Sequence, residues 1–359
     1  MKLLAIRLDS AGDVLMCSPA LRALHEHGHH VTLLTSAAGA LAGERIEGVA
    51  AVIRWAAPWM KASAAAPAGC VPAMAARLRQ QGFDGAVIFT SYSQSALPAA
   101  LLCQMAGIPL RLAHCRENPY QLLTHWVRES EPEPRLRHEV QRQAELVAQL
   151  GCRPASMRLS VRIDARDRAA ARAALRAAGV DPDSDWILLH PGASAPSRRY
   201  PVAGWRDAAD LLARHARLPL VFAGGDDDVE RVREIVEDGR PGQAPRWPSL
   251  AGQLGFGGLA ALVEGARVLV ACNSAPAHLA AATGTPVVDL YALTNPQHAP
   301  WQVRHRLLYR TVPCHDCYQS VCPYGDARRL SGVDPREVLQ AVQELIGTPL
   351  PSSVTGGSR

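Results

Sequence analysis

Lysine is nearly missing from this 359-residue chain: only Lys2 and Lys61 occur, and the remaining positive charge is arginine. No basic run with interleaved aromatic residues appears, which argues against nucleic acid as a partner. The formal net charge of +5 permits attraction to an anionic membrane surface or a phosphorylated substrate without requiring either. No apolar run reaches the roughly 18 to 20 residues that cross a bilayer. The opening MKLLAIRLDSAGD brings Asp9 and Asp13 directly after its short apolar stretch. It therefore reads as a buried strand and its loop, not as a signal peptide. No GxGxxG fingerprint follows the strands, which disfavours an NAD-dependent dehydrogenase. The nine cysteines are an odd number. Cys17, Cys70, Cys103, Cys115, Cys152 and Cys272 stand alone and read as small buried residues in a reducing compartment. The expected location is the cytoplasm.

Composition otherwise suits a globular protein, with 48% hydrophobic and 20% charged residues. Apolar runs at Lys2–Arg7, His30–Thr35, Ala51–Trp55 and Gly85–Thr90 predict buried strands. Helical periodicity fills the gaps at Val71–Gln81, Ser95–Ala106 and His138–Leu150. A further helical stretch runs from the Leu8–Gly12 loop towards Gly28, kinking or restarting at Ser18-Pro19. The second half repeats the plan, with strands at Trp186–His190, Pro219–Ala223, Arg267–Ala271 and Pro286–Tyr291. Its helices are expected at Val202–His215, Asp227–Asp238, near Leu259–Glu264, at Pro276–Thr283 and at about Asp334–Ile346. Alternation of this kind implies parallel sheets covered on both faces. Two Rossmann-like domains are expected, 1–155 and 160–346, with a hinge at Gly151–Ser160 and a disordered tail over 349–359. Such domains favour a ligand in a cleft at the carboxyl ends of the strands.

Four loops carry polar groups at those ends. In LDSAGDV, Gly12 precedes Asp13, which serves either as a helix N-cap or as a general base. In HPGASAPSRRYP, the small residues Gly192, Ala193 and Ser194 admit a phosphate to backbone N–H groups. Arg198 and Arg199 then read either as a diphosphate clamp or as surface charge. In AGGDDDV, Gly225 and three aspartates open a helix; they cap it, and one of them, Asp228 for instance, could take ribose hydroxyls. In ACNSAPAH, Asn273, Ser274 and Ala275 lead into a helix carrying His278, an anion site in outline. Arg111, Arg116 and Arg137 read equally as contacts for an anionic acceptor and as ordinary surface charge.

Taken in order, GDVLMCSPALRAL, HPGAS with RRYPVAGW, the long LAGQLGFGGLAALVEGARVLVACNSAPAHLAAATGTPVV and DLYALTNP resemble glycosyltransferase family 9, the heptosyltransferases of lipopolysaccharide core assembly. The resemblance runs from Met1 to about Ile346. It implies a GT-B fold, two Rossmann-like domains facing across a cleft. It implies inverting transfer of heptose from an ADP-heptose donor to the lipopolysaccharide inner core, with no cofactor and no catalytic metal. The acceptor is lipid-linked or a glycan, and peripheral contact with the inner membrane fits such a substrate. The family's base falls on Asp13, its diphosphate-binding Lys on Arg198, and its NDSGxxH loop on Asn273 to His278.

Asn273 stands where Asp is commonest in that family and Ala275 where Gly is usual, two departures that bear on the donor loop and not on the fold. A relative glycosylating a protein or another surface glycan, one using another nucleotide sugar, or a non-catalytic scaffold binding a sugar nucleotide remain as alternatives. Cys314, Cys317 and Cys322 suggest a structural metal only if a fourth ligand joins them; free packed thiols are the favoured reading.

Overall fold

A computed structural model of the chain describes residues 1–60, 67–132, 136–237, 245–292, 296–312, 321 and 328–347. The expected cysteine cluster and the tail over 349–359 lie outside these residues. The chain divides into two compact units, Met1–Arg162 and Ile163–Arg359.

The first unit is built on a six-stranded parallel sheet. Its strands are β1 (Lys2–Arg7), β2 (His30–Thr35), β3 (Val49–Arg54), β4 (Gly85–Ile88), β5 (Leu110–Cys115) and β6 (His125–Arg128). Their order is β3-β2-β1-β4-β5-β6, the Rossmann order. Helices α1 (Ala11–Met16), α2 (Ser18–Glu26), α3 (Ala37–Gly43), α4 (Cys70–Gln81), α5 (Leu97–Met105) and α6 (Glu139–Val147) accompany it. β1 is buried from Leu3 onward because helices cover a parallel sheet on both faces, which is why KLLAIR reads as a continuous apolar run. The helix predicted after the first loop does restart: Cys17 caps α2, and Pro19 sits in its first turn, where a missing N–H costs nothing.

The second unit carries β7 (Ile187–His190), β8 (Leu220–Phe222), β9 (Val268–Cys272), β10 (Val287–Leu290) and β11 (His305–Leu308), in the order β11-β10-β9-β7-β8. Counted from β7, this is 2-1-3-4-5, the flavodoxin-like winding. Its helices are α7 (Ala165–Ala177), α8 (Val202–His215), α9 (Val229–Val236), α10 (Phe256–Gly265), α11 (Ala275–Thr283), α12 (Arg328–Ser331) and α13 (Pro335–Ile346). Trp205 of α8 is wholly buried, edge-on to Tyr200 at 5.8 Å between centroids. Asp334 caps α13 by accepting from the Arg336 N–H.

Two expectations need adjusting. Gly151–Ser160, read as a hinge, is bonded to the first unit: Arg22 donates to the Ser156 and Arg158 carbonyls and to Ser160 Oγ, and Ser160 N–H donates to Ser18 Oγ. The first unit therefore runs on to Arg162, whose N–H bonds the Arg45 carbonyl. The expected Leu8–Gly12 loop is also shorter, since α1 begins at Ala11 and encloses Gly12. Among the described residues no helix is long and apolar enough to cross a membrane.

Candidate active site

In an open parallel sheet, ligands bind beyond the carboxyl ends of the strands, where the winding reverses. In the first unit that point lies between β1 and β4. Asp13 stands there, in the first turn of α1. The N-cap is Ser10, not Asp13: Asp13 Oδ2 accepts from Ser10 N–H at 3.1 Å and from Ser10 Oγ at 2.6 Å. Asp13 Oδ1 accepts from Arg7 Nη2 at 3.1 Å.

Arg7 closes β1, and its side chain is only 1% exposed. It meets two further carboxylates. Nη1 donates to Glu139 Oε1 of α6 at 2.7 Å, and Nε lies 2.9 Å from Asp9 Oδ2, close enough for an ion pair though not aligned as a hydrogen bond. Burial opposes the charge on Arg7, but Asp9, Glu139 and Asp13 hold it more firmly protonated than a free guanidinium. For Asp9 burial outweighs the pull of Arg7, and its carboxyl is raised above the ordinary range. Gln94, in the loop after β4, donates to Asp9 Oδ1 at 2.6 Å.

Behind this group lies a second buried network. Arg142 of α6 donates to Glu129 Oε2 at 2.7 Å and to the Thr90 carbonyl, while Arg137 bridges Glu129, Glu131 and Glu145. Burial and Arg142 together push His114 down to about 4. The three arginines read as possible acceptor contacts all have partners within the first unit: Arg137 as above, Arg111 on the Ile108, Gln121 and Leu122 carbonyls, and Arg116 on those of Tyr92 and Glu131.

In the second unit the winding reverses between β7 and β9, and three of the four loops meet there. Ser274, N-cap of α11, donates through Oγ to the Gly192 carbonyl at 3.1 Å and to the Cys272 carbonyl at 3.0 Å. Asp228 Oδ2 accepts from Gly225 N–H at 3.1 Å, and its carboxylate lies where a Cβ on Gly192 would be. That packing of two loops through one carboxylate explains the glycine at 192. Ser194 is exposed and Ala193 buried. His190 beneath them is buried with its Nδ1 unpartnered; burial lowers its proton affinity, while Asp228 opposes that.

The paired arginines separate in role. Arg199 Nε donates to the Ala193 carbonyl at 2.8 Å, holding its own loop. Arg198, in the Pro196–Arg198 turn, has a buried Nε without a hydrogen-bond partner and acts electrostatically on Asp289. Asp289, in the middle of β10, is wholly buried with neither oxygen hydrogen-bonded. Burial raises it well above the carboxylate range, and Arg198 offsets part of that. Asn273 is buried, its side chain bonded to the Tyr291 hydroxyl. Ala275 opens α11 with no positive φ, so the missing glycine costs the loop nothing. His278 is buried one turn further on.

Sequence reading missed Arg7, Asp9, Glu139 and Asp289. For Arg7 and Asp289 the signal was a charge closing or interrupting a buried strand, KLLAIR and VVDL, which costs too much to stand there without a task.

The model of glycosyltransferase family 9 (heptosyltransferase) matches residues 71–327. Lipopolysaccharide heptosyltransferase 3 of Escherichia coli is 31% identical over 195 residues, 50% of this chain and 51% of that protein. The chain thus spans about half the length of this curated relative. Among solved structures, a glycosyl transferase family 9 protein from Veillonella parvula superposes with a TM-score of 0.76 at 21% identity, over 96% of this chain and 97% of the other. The ADP-heptose LPS heptosyltransferase II of E. coli gives 0.73 at 21% identity, over 96% and 98%. These likenesses show the fold, GT-B with two Rossmann-like domains.

Proposed function

The chain belongs to glycosyltransferase family 9, and on that premise we propose that it moves heptose from ADP-heptose to an acceptor of the lipopolysaccharide inner core. The observation that carries this is the convergence of Gly192, Gly225, Asp228 and Ser274 at the reversal point of the second sheet. Backbone N–H groups gathered at the start of α11 and in the Pro191–Ser194 loop favour a diphosphate. Arg198 holds that diphosphate and stabilises the charge it gains as it leaves. Asp228 is folded beneath Gly225, so its role is to shape the donor loop, and Asn273, Ala275 and His278 complete that wall.

The first unit supplies the base. Asp13 takes the proton of an acceptor hydroxyl, the freed oxygen bonds the anomeric carbon, and the carbon–oxygen bond to the diphosphate breaks. ADP leaves, and attack opposite to it inverts the centre. No metal or cofactor enters these steps. A lipid-linked or glycan acceptor implies work at the cytoplasmic face of the inner membrane, with peripheral contact.

Calorimetry and transfer assays with ADP-heptose beside UDP- and GDP-sugars test the reading. ADP-heptose should bind and react well ahead of the others, and Arg198→Ala should weaken ADP binding by about 10- to 100-fold. Equal use of a UDP-sugar, or unchanged ADP affinity in the variant, contradicts it.

A further inference from the structure

Arg7 presents three nitrogens, and each meets a different carboxylate. Nη1 takes Glu139 at 2.7 Å, Nε lies 2.9 Å from Asp9, and Nη2 takes Asp13 at 3.1 Å, the longest of the three. Glu139 comes from α6, far along the chain, and its side chain is fully buried. It is held in place from its own helix, since Gln143 Nε2 donates to Glu139 Oε1 at 2.7 Å and to the Thr90 carbonyl at 2.9 Å. Asp9 is fixed in the same manner by Gln94. Both competitors for Arg7 are thus anchored by a side-chain amide, an arrangement that packing alone does not require.

We propose that Glu139 and Asp9 are positioning residues that keep Asp13 a working base by sharing with it the single guanidinium of Arg7. This rests on the reading of Asp13 as the base. An arginine facing one aspartate alone grips it with two parallel N–H bonds, and a carboxylate so held is a poor proton acceptor. Here Asp13 receives one N–H from Arg7. Glu139 and Asp9 neutralise most of the guanidinium charge and add negative charge of their own nearby. Both effects strengthen the hold of Asp13 on a proton taken from substrate.

The other groups around α1 do not disturb this balance. Cys17 faces the cluster, but burial keeps its thiol neutral. α3, with sequence AAGALAG, carries no charge. Arg22 of α2 is turned to Ser160 and the neighbouring carbonyls, and Arg142 and Glu145 of α6 pair with Glu129 and Arg137.

The test is the pH dependence of kcat/KM for the full chain, with ADP-heptose and a deacylated inner-core acceptor. Glu139→Gln keeps the shape and removes the charge; Asp9→Asn does the same nearer the surface. In each variant the acidic limb should move to lower pH by about half a unit to one unit. The plateau rate should fall by roughly 3- to 10-fold, with KM for ADP-heptose within about twofold of wild type. A merely structural role lowers the rate at every pH and leaves the limb in place. An unmoved limb in folded variants overturns the proposal; if Glu139→Gln does not fold, Asp9→Asn decides alone. Asp13→Asn in the same assay separates the two claims. If that variant retains the wild-type rate, the base assignment itself is wrong; if it is inactive while the limbs stay fixed, only the sharing of Arg7 is.

Discussion

The Asp228 carboxylate occupies the place where Gly192 would carry a side chain. It also accepts the Gly225 N–H, so one aspartate closes the loop after β8 against the loop after β7. Gly192→Ala forces this carboxylate out. The variant should lose about 1–3 kcal/mol of stability from the clash and the broken bond. ADP affinity, read by calorimetry on the folded variant, should fall at least about tenfold, or about 1.4 kcal/mol. Wild-type melting and affinity in the variant would remove Asp228 from the account of the donor loop.

Asp289 makes stability fall as pH rises. Its carboxyl is raised in the folded chain, chiefly by burial. Below the unfolded value, about 4, both states hold the proton and nothing is lost. Above it the unfolded chain releases its proton first, and the penalty grows until the folded value is passed. Asp289→Asn removes the penalty, so the variant should be more stable than wild type at neutral pH by about 1–3 kcal/mol and close to it near pH 4. Denaturant melts across that range check this, and parallel curves for the two proteins would contradict it.

Arg142→Ala leaves Glu129 and Glu131 in a buried place without their closest cation in α6; Arg142 and Glu129 are about as buried as the core itself. Removing one partner of such a pair costs about 3–5 kcal/mol, because the other charge stays behind. Urea unfolding should show that loss, and a change under about 1 kcal/mol, the range of a surface pair, would mean that water reaches the network.

Much of the architecture was legible because a buried parallel strand announces itself by apolar continuity. β1, β2 and α8 fall on their expected bounds. β5 and β6 escaped, since LRLAHC and HWVR mix charge and histidine into short edge-side runs. α3 escaped as well, AAGALAG being too small and uniform to show a period. At the site, the loops could be found from Gly, Ser and Arg placed after strands. That two of them close on one aspartate, with the third joined through Ser274 to Gly192, could not, because Gly192, Asp228 and Ser274 are distant in sequence. The same limit hid Glu139, whose partner Arg7 lies 132 residues away. Long-range ion pairs leave no local period to read; only the cost of a charge in a buried strand hints at them.

The central claim is that Asp13 takes the acceptor proton during transfer from ADP-heptose. Asp13→Asn keeps the volume and hydrogen-bonding reach of the side chain but cannot take that proton. The direct measurement is the transfer rate of this variant beside wild type, with ADP binding and melting followed on the same samples. The account predicts a rate lower by about 100-fold or more, with folding and ADP affinity preserved. Near-normal transfer by the folded variant would contradict it.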